Sequence, residues 1–223
     1  MPKIKAIKTV ITLIQKEFST EWRTKAGLGA IVLFVFASFY LCFLSFKKIV
    51  HPPTWNALFW VIMLFSAINI ASKSFLQDGR GRNFYIGTLV NPQQLLLAKI
   101  IYNAFLILLT NSIGFLVYSI ILGNLAESTG LFMLTIVLGS IGFSVLLTTS
   151  SLIASKASYN FTLMSVLSLP LLIPYLVALI KASKIAVEGL DPSLAFNPMI
   201  ILVAINVIFL SLGYLLIPYL WRD

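Results

Sequence analysis

Side chains able to do chemistry are scarce in this chain, and their spacing excludes most of it. The single histidine, His51, precedes Pro52-Pro53, and the single cysteine, Cys42, lies inside an apolar run. One histidine and one cysteine cannot make a two-histidine zinc site, a cysteine cluster or an intramolecular disulfide. A Ser-His-Asp triad would have to recruit His51 from a loop. The absence of G-x-x-x-x-G-K-[ST] leaves the chain without a P-loop of its own. His51 reads as a loop residue rather than an axial haem ligand, because no second ligand stands near it in sequence. Of the 7 carboxylates, none falls within a long apolar run. Ion-coupled transporters place such groups near the membrane midplane, so a proton relay is not expected.

The remaining polar groups form patterns rather than catalytic sets. The interval 73–94 gathers Asp78, Gly79, Arg80, Arg82, Phe84 and Tyr85 between apolar runs, with Asn91-Pro92 beyond them. Glycines at one end and Asn-Pro at the other predict a short surface helix. Its aromatic residues could anchor in a partner's cleft and its arginines face an acidic rim. Ser140, Ser144, Thr148, Ser151 and Ser155 recur at helical spacing as a hydroxyl stripe. Such a stripe of small residues predicts close helix packing. Pro170 and Pro174 share a helical face, and each removes a backbone donor, which predicts a kinked or partly broken helix able to act as a hinge.

The elements that must position these residues follow from composition. The chain is 59% hydrophobic and 10% charged, against about 45–50% and about 25% in soluble domains. Six uncharged stretches each exceed the roughly 20 residues needed to cross a bilayer. Their cores are Gly27–Phe46, Trp55–Ala71, Ile100–Leu122, Leu131–Ala154, Leu163–Ile180 and Met199–Leu220. The fold class is therefore all-α: a polytopic membrane protein whose six spans form one domain over 1–223. Residues 1–25 carry Ile4, Ile7, Ile11, Ile14, Phe18 and Trp22 on one stripe, which predicts an amphipathic helix in the headgroup layer. Twelve of the 16 basic residues fall on one side if the N-terminus is inside, which places both termini in the cytoplasm. The net charge of +9 is thus a topology and lipid-headgroup signal, and no nucleic-acid partner is expected.

Leu76-Gln77-Asp78-Gly79 after span two, Pro92 with Leu95-Leu96-Leu97-Ala98-Lys99 entering span three, and Leu169-Pro170-Leu171-Leu172-Ile173-Pro174 in span five recur in a known order. In these residues, and in length and hydropathy, the chain resembles the haem exporter protein B family of bacterial cytochrome c maturation, the permease subunits of an ABC transporter. Arg80-Gly81-Arg82 stands where many members carry an acidic segment. The resemblance implies a non-catalytic multi-pass subunit of the bacterial inner membrane, paired as a homodimer with a cytoplasmic ATPase that binds the ATP. It further implies a haem-handling membrane protein of the C type and an outer-side haem chaperone as partners. The complex would handle haem while this chain binds no cofactor of its own. The interval 73–94 would be the coupling segment for the ATPase. An exporter permease for a lipid, drug or glycan, and an assembly protein without a transport cycle, are the alternative readings.

Overall fold

A computed structural model describes residues 2–24, 26–46, 50–76, 90–157 and 161–220. Among them the regular structure is helical throughout. The helices are α1 (Pro2–Thr24), α2 (Ala26–Phe46), α3 (Pro52–Leu76), α4 (Pro92–Leu122), α5 (Thr129–Ala157), α6 (Phe161–Val187) and α7 (Phe196–Leu220), with a 3₁₀ turn at Pro192–Ala195 before α7. The six helices after α1 are each long and apolar enough to cross a membrane. They coincide with the six spans expected from sequence.

The helices overrun their apolar cores at the end where α1 lies. α3 continues through Lys73 to Leu76, and α4 starts at Pro92, ahead of the uncharged run. Asn91 caps α4: its Oδ1 accepts the Gln93 N–H at 3.1 Å, and Pro92 occupies the first helical position, where no N–H is needed. Residues 73–76 and 92–94 of the expected surface segment thus belong to spanning helices. Its middle, 77–89, lies outside the described residues. At the opposite end Asp191 accepts the Ser193 N–H at 3.0 Å and starts the turn into α7. The same bond holds the exposed Asp191 carboxyl below its ordinary range.

α5 occupies the middle of the bundle and packs against α3, α4, α6 and α7. The hydroxyl stripe explains why. Ser140, Ser144, Thr148, Ser151 and Ser155 are all buried. Ser140 Oγ accepts from Asn111 Nδ2 at 2.9 Å, Ser144 Oγ donates to the Ile100 carbonyl at 2.6 Å, and Thr148 Oγ1 accepts from Asn103 Nδ2 at 2.7 Å. These bonds join α5 to α4, so the stripe is the packing face its spacing predicted. Small side chains permit the close approach, and the hydrogen bonds satisfy groups that lipid could not.

The end opposite α1 is held by aromatic rings instead. Trp55 and Phe59 of α3, Phe115 and Tyr118 of α4 and Phe132 of α5 form one cluster, with Trp55 and Tyr118 at 4.9 Å and Phe115 and Phe132 at 5.0 Å between centroids. Tyr118 Oη donates to the Trp55 carbonyl at 3.0 Å, and Trp60 Nε1 donates to Ser183 Oγ at 2.8 Å. Each ring pair adds about 0.5–1.5 kcal/mol beyond its buried area. α2 and α7 lie at the periphery and leave long apolar faces exposed, as helices bordered by lipid do.

α1 is a helix over the stretch where one was expected. Leu13 is buried, and Val10, Ile14 and Phe18 pack on the bundle, while Ile7 and Ile11 stay exposed. The predicted stripe is therefore divided between the bundle and the surroundings. Phe18 meets Tyr102 and Phe105 of α4 edge-on, at 5.1 Å and 5.3 Å. The side chains of Ile4 and Trp22 lie outside the described set.

Candidate functional site

Asp78, Gly79, Arg80, Arg82, Phe84 and Tyr85 lie outside the described residues. Pro170 and Pro174 are exposed on the outward face of α6, beside the exposed Leu169 and Ile173. α6 runs without interruption from Phe161 to Val187, so the helix is not broken at either proline. His51 is exposed just before α3, and its carbonyl accepts the Trp55 N–H at 2.9 Å. Among the described residues no three His, Cys, Asp or Glu side chains come together as metal ligands.

What the structure does bring together is a polar node where α3 ends and α4 begins. Lys99 is 1% exposed although it lies only seven residues into α4, about 10 Å along the helix at 1.5 Å per residue. Its Nζ donates to the Ser74 carbonyl in the last turn of α3 and lies 3.5 Å from Glu17 Oε1 of α1. The same ammonium sits 4.9 Å from the centre of the Phe75 ring, within the range of a cation–π contact. One turn further along α4, Asn103 Nδ2 contacts Ser74 Oγ at 2.6 Å and Thr148 Oγ1 of α5 at 2.7 Å. Ser74 is thus held at its carbonyl and its hydroxyl, and four helices meet around it. A cation is favoured against the carbonyls of a helix C-terminus, where the helix dipole is negative.

From sequence alone, Lys99 reads as a surface charge at the edge of an apolar run. The one hint of burial is its place within a helix that starts at Asn91-Pro92. Its partner Glu17 belongs to a different helix, and nothing in the linear pattern joins them. Asn103, Asn111 and Asn206 stand out as amides in apolar runs, and all three are buried. Asn56 is buried likewise, whereas Asn69 of the same helix is exposed.

A second feature is a lateral apolar cleft of about 360 Å³ between α2 and α4, closed at one end by Phe18. Val32, Val35, Leu109 and Ile113 line it, and no charged side chain does. It offers shape and hydrophobicity without a group that could bind or transform a charged substrate.

Six helices long and apolar enough to cross a membrane make this a multi-pass membrane protein. The chain belongs to the CcmB protein family, whose model matches residues 8–219. That family is the permease subunit of an ABC-type haem exporter in cytochrome c maturation. No curated protein matches the chain.

Proposed function

We propose that this chain transmits the work of a separate cytoplasmic ATPase to the delivery of haem to a chaperone on the far side of the membrane. The family match over residues 8–219 carries the reading. Two features of the chain support it. It has no P-loop and no carboxylate within its apolar runs, so energy must enter through a partner. The long polar interval of the sequence, 73–94, joins the end of α3 to the start of α4, and α1 packs against α4.

In this reading the basic end faces the cytoplasm, both termini lie there, and the complex contains two copies of this chain and two ATPase subunits. Haem is a substrate presented by a membrane protein of the C type, and the exposed His51 is not its ligand. The ATPase docks on 73–94, with Phe84 and Tyr85 as anchors and Arg80 and Arg82 guiding encounter. Replacing Phe84 and Tyr85 together by alanine is expected to abolish copurification of the ATPase in detergent at normal permease yield. Undiminished ATPase recovery would remove this segment as the docking surface.

A further inference from the structure

We infer that Lys99 is a positioning residue: with Glu17 and Ser74 it forms a clasp that ties α1 to the two helix ends bordering the ATPase-docking interval. The inference rests on the proposed function, because it assigns the clasp a part in ATPase engagement.

Three observations carry it. The first is burial. An ammonium that is 1% exposed within an apolar helix is costly unless paired, and such intramembrane charges usually mark functional positions. A lysine serving only as a topology signal would extend to the surface, since its long side chain readily snorkels. The second is the choice of partners. Lys99 Nζ reaches the Ser74 carbonyl, two residues before α3 ends, and Glu17 Oε1 at 3.5 Å. One cation therefore holds the exit from α3, the entry of α4 and the middle of α1. The third is the support behind it. Asn103 grips the Ser74 hydroxyl at 2.6 Å and Thr148 of central α5 at 2.7 Å, so the clasped residue is anchored to the middle of the bundle.

The consequence is mechanical. A load applied between α3 and α4 must move Ser74 or Lys99, and either movement pulls on Glu17. α1 also touches α4 through Phe18, but that contact is apolar and tolerates sliding. The ion pair has a direction and a length, so it fixes α1 relative to the docking interval. Glu17 Oε1 also lies 3.4 Å from Lys16 Nζ, so the same oxygen faces cations of α1 and α4.

The test is a double-mutant cycle on ATPase association. The full-length permease is placed in phosphatidylethanolamine–phosphatidylglycerol nanodiscs and titrated with its ATPase as Glu17→Gln, Lys99→Met and the double variant. Thermal unfolding of each permease alone is measured alongside. Glu17→Gln is expected to weaken association about tenfold and Lys99→Met at least as much, while the double variant loses no more than Lys99→Met, because removing Lys99 already breaks the link to Glu17. Lys99→Arg should restore most of the binding, since its guanidinium can reach the same two acceptors. Wild-type affinity in the single variants would overturn the inference, as would losses that multiply in the double variant. A lower unfolding temperature with unchanged affinity would also overturn it, by reducing the pair to a structural one. Should Lys99→Met fail to accumulate, Glu17→Gln decides, because Glu17 sits on the peripheral α1. If the wild-type permease binds no ATPase, the proposed function fails first and the clasp falls with it.

Discussion

Gly142 shows how little room single residues have in this bundle. A Cβ at this position of α5 would collide with Tyr175 Oη of α6 and with Asn206 Oδ1 of α7. Tyr175 is fully buried, and its hydroxyl donates to the Leu138 carbonyl at 2.7 Å. The tyrosine ring is rigid and its hydroxyl is held, so α5 or α6 must give. Gly114 makes a useful contrast: a Cβ there meets the Sδ and Cε end of Met63, which can swing aside. Gly142→Ala is therefore expected to destabilise the permease by about 1–3 kcal/mol, through overpacking and loss of the tyrosine hydrogen bond. Gly114→Ala should cost less than about 1 kcal/mol. Thermal unfolding in one detergent compares the two directly, and equal losses would contradict the distinction. Neither glycine stands out in the sequence, because its importance lies in side chains that approach from other helices.

At the scale of elements, α6 combines a packed face with a weakened one. Ser168, Leu172, Tyr175 and Leu179 are buried against the bundle, while Val166, Leu169, Pro170, Ile173 and Pro174 face outward. Each proline leaves a carbonyl one turn earlier without its usual donor, and the two vacancies follow each other along the helix. The exposed rings do not fill the core, which argues against a purely static packing role. Bending toward or away from the bundle should therefore cost less here than in an unbroken hydrogen-bond ladder. Replacing Pro170 and Pro174 by alanine is expected to leave ATPase assembly intact while slowing ATP-dependent haem release to the chaperone. Both are measured in the same membranes. Normal release by the double variant eliminates the hinge, and loss of assembly returns the prolines to packing.

The whole molecule is polarised along the membrane normal. One end carries α1, Lys73, Lys99 and Lys156; the other carries the turns around Glu127 and Glu188, drawn together where the Ser128 N–H donates to the Ala186 carbonyl at 3.0 Å. In the proposed reading the α1 end, with its excess of basic residues, faces the cytoplasm. This is checked by labelling. In a Cys42→Ser background, a single cysteine replacing the exposed Glu127 should react with an impermeant maleimide added to intact cells. One replacing Lys8 should react only after the membrane is opened. The reverse pattern would invert the topology and move the proposed docking interval to the wrong side.

Sequence by itself determined the number of spans, the helical class, the family resemblance and the packing role of the Ser140–Ser155 stripe. These are local properties: an uncharged run of sufficient length must satisfy its backbone within a helix, whatever surrounds it. Where each helix faces was decided only by the tertiary structure. Lipid and protein interior are almost equally apolar, so hydropathy does not tell the exposed Leu33 from the buried Leu96, or the outward Ile7 from the inward Ile14. Charge was misleading for the same reason. Lys99 lies at the edge of an apolar run and has the composition of a surface residue. It is buried because Glu17 of one helix and the Ser74 carbonyl of another converge on it, and that convergence exists only once α1, α3 and α4 are packed together.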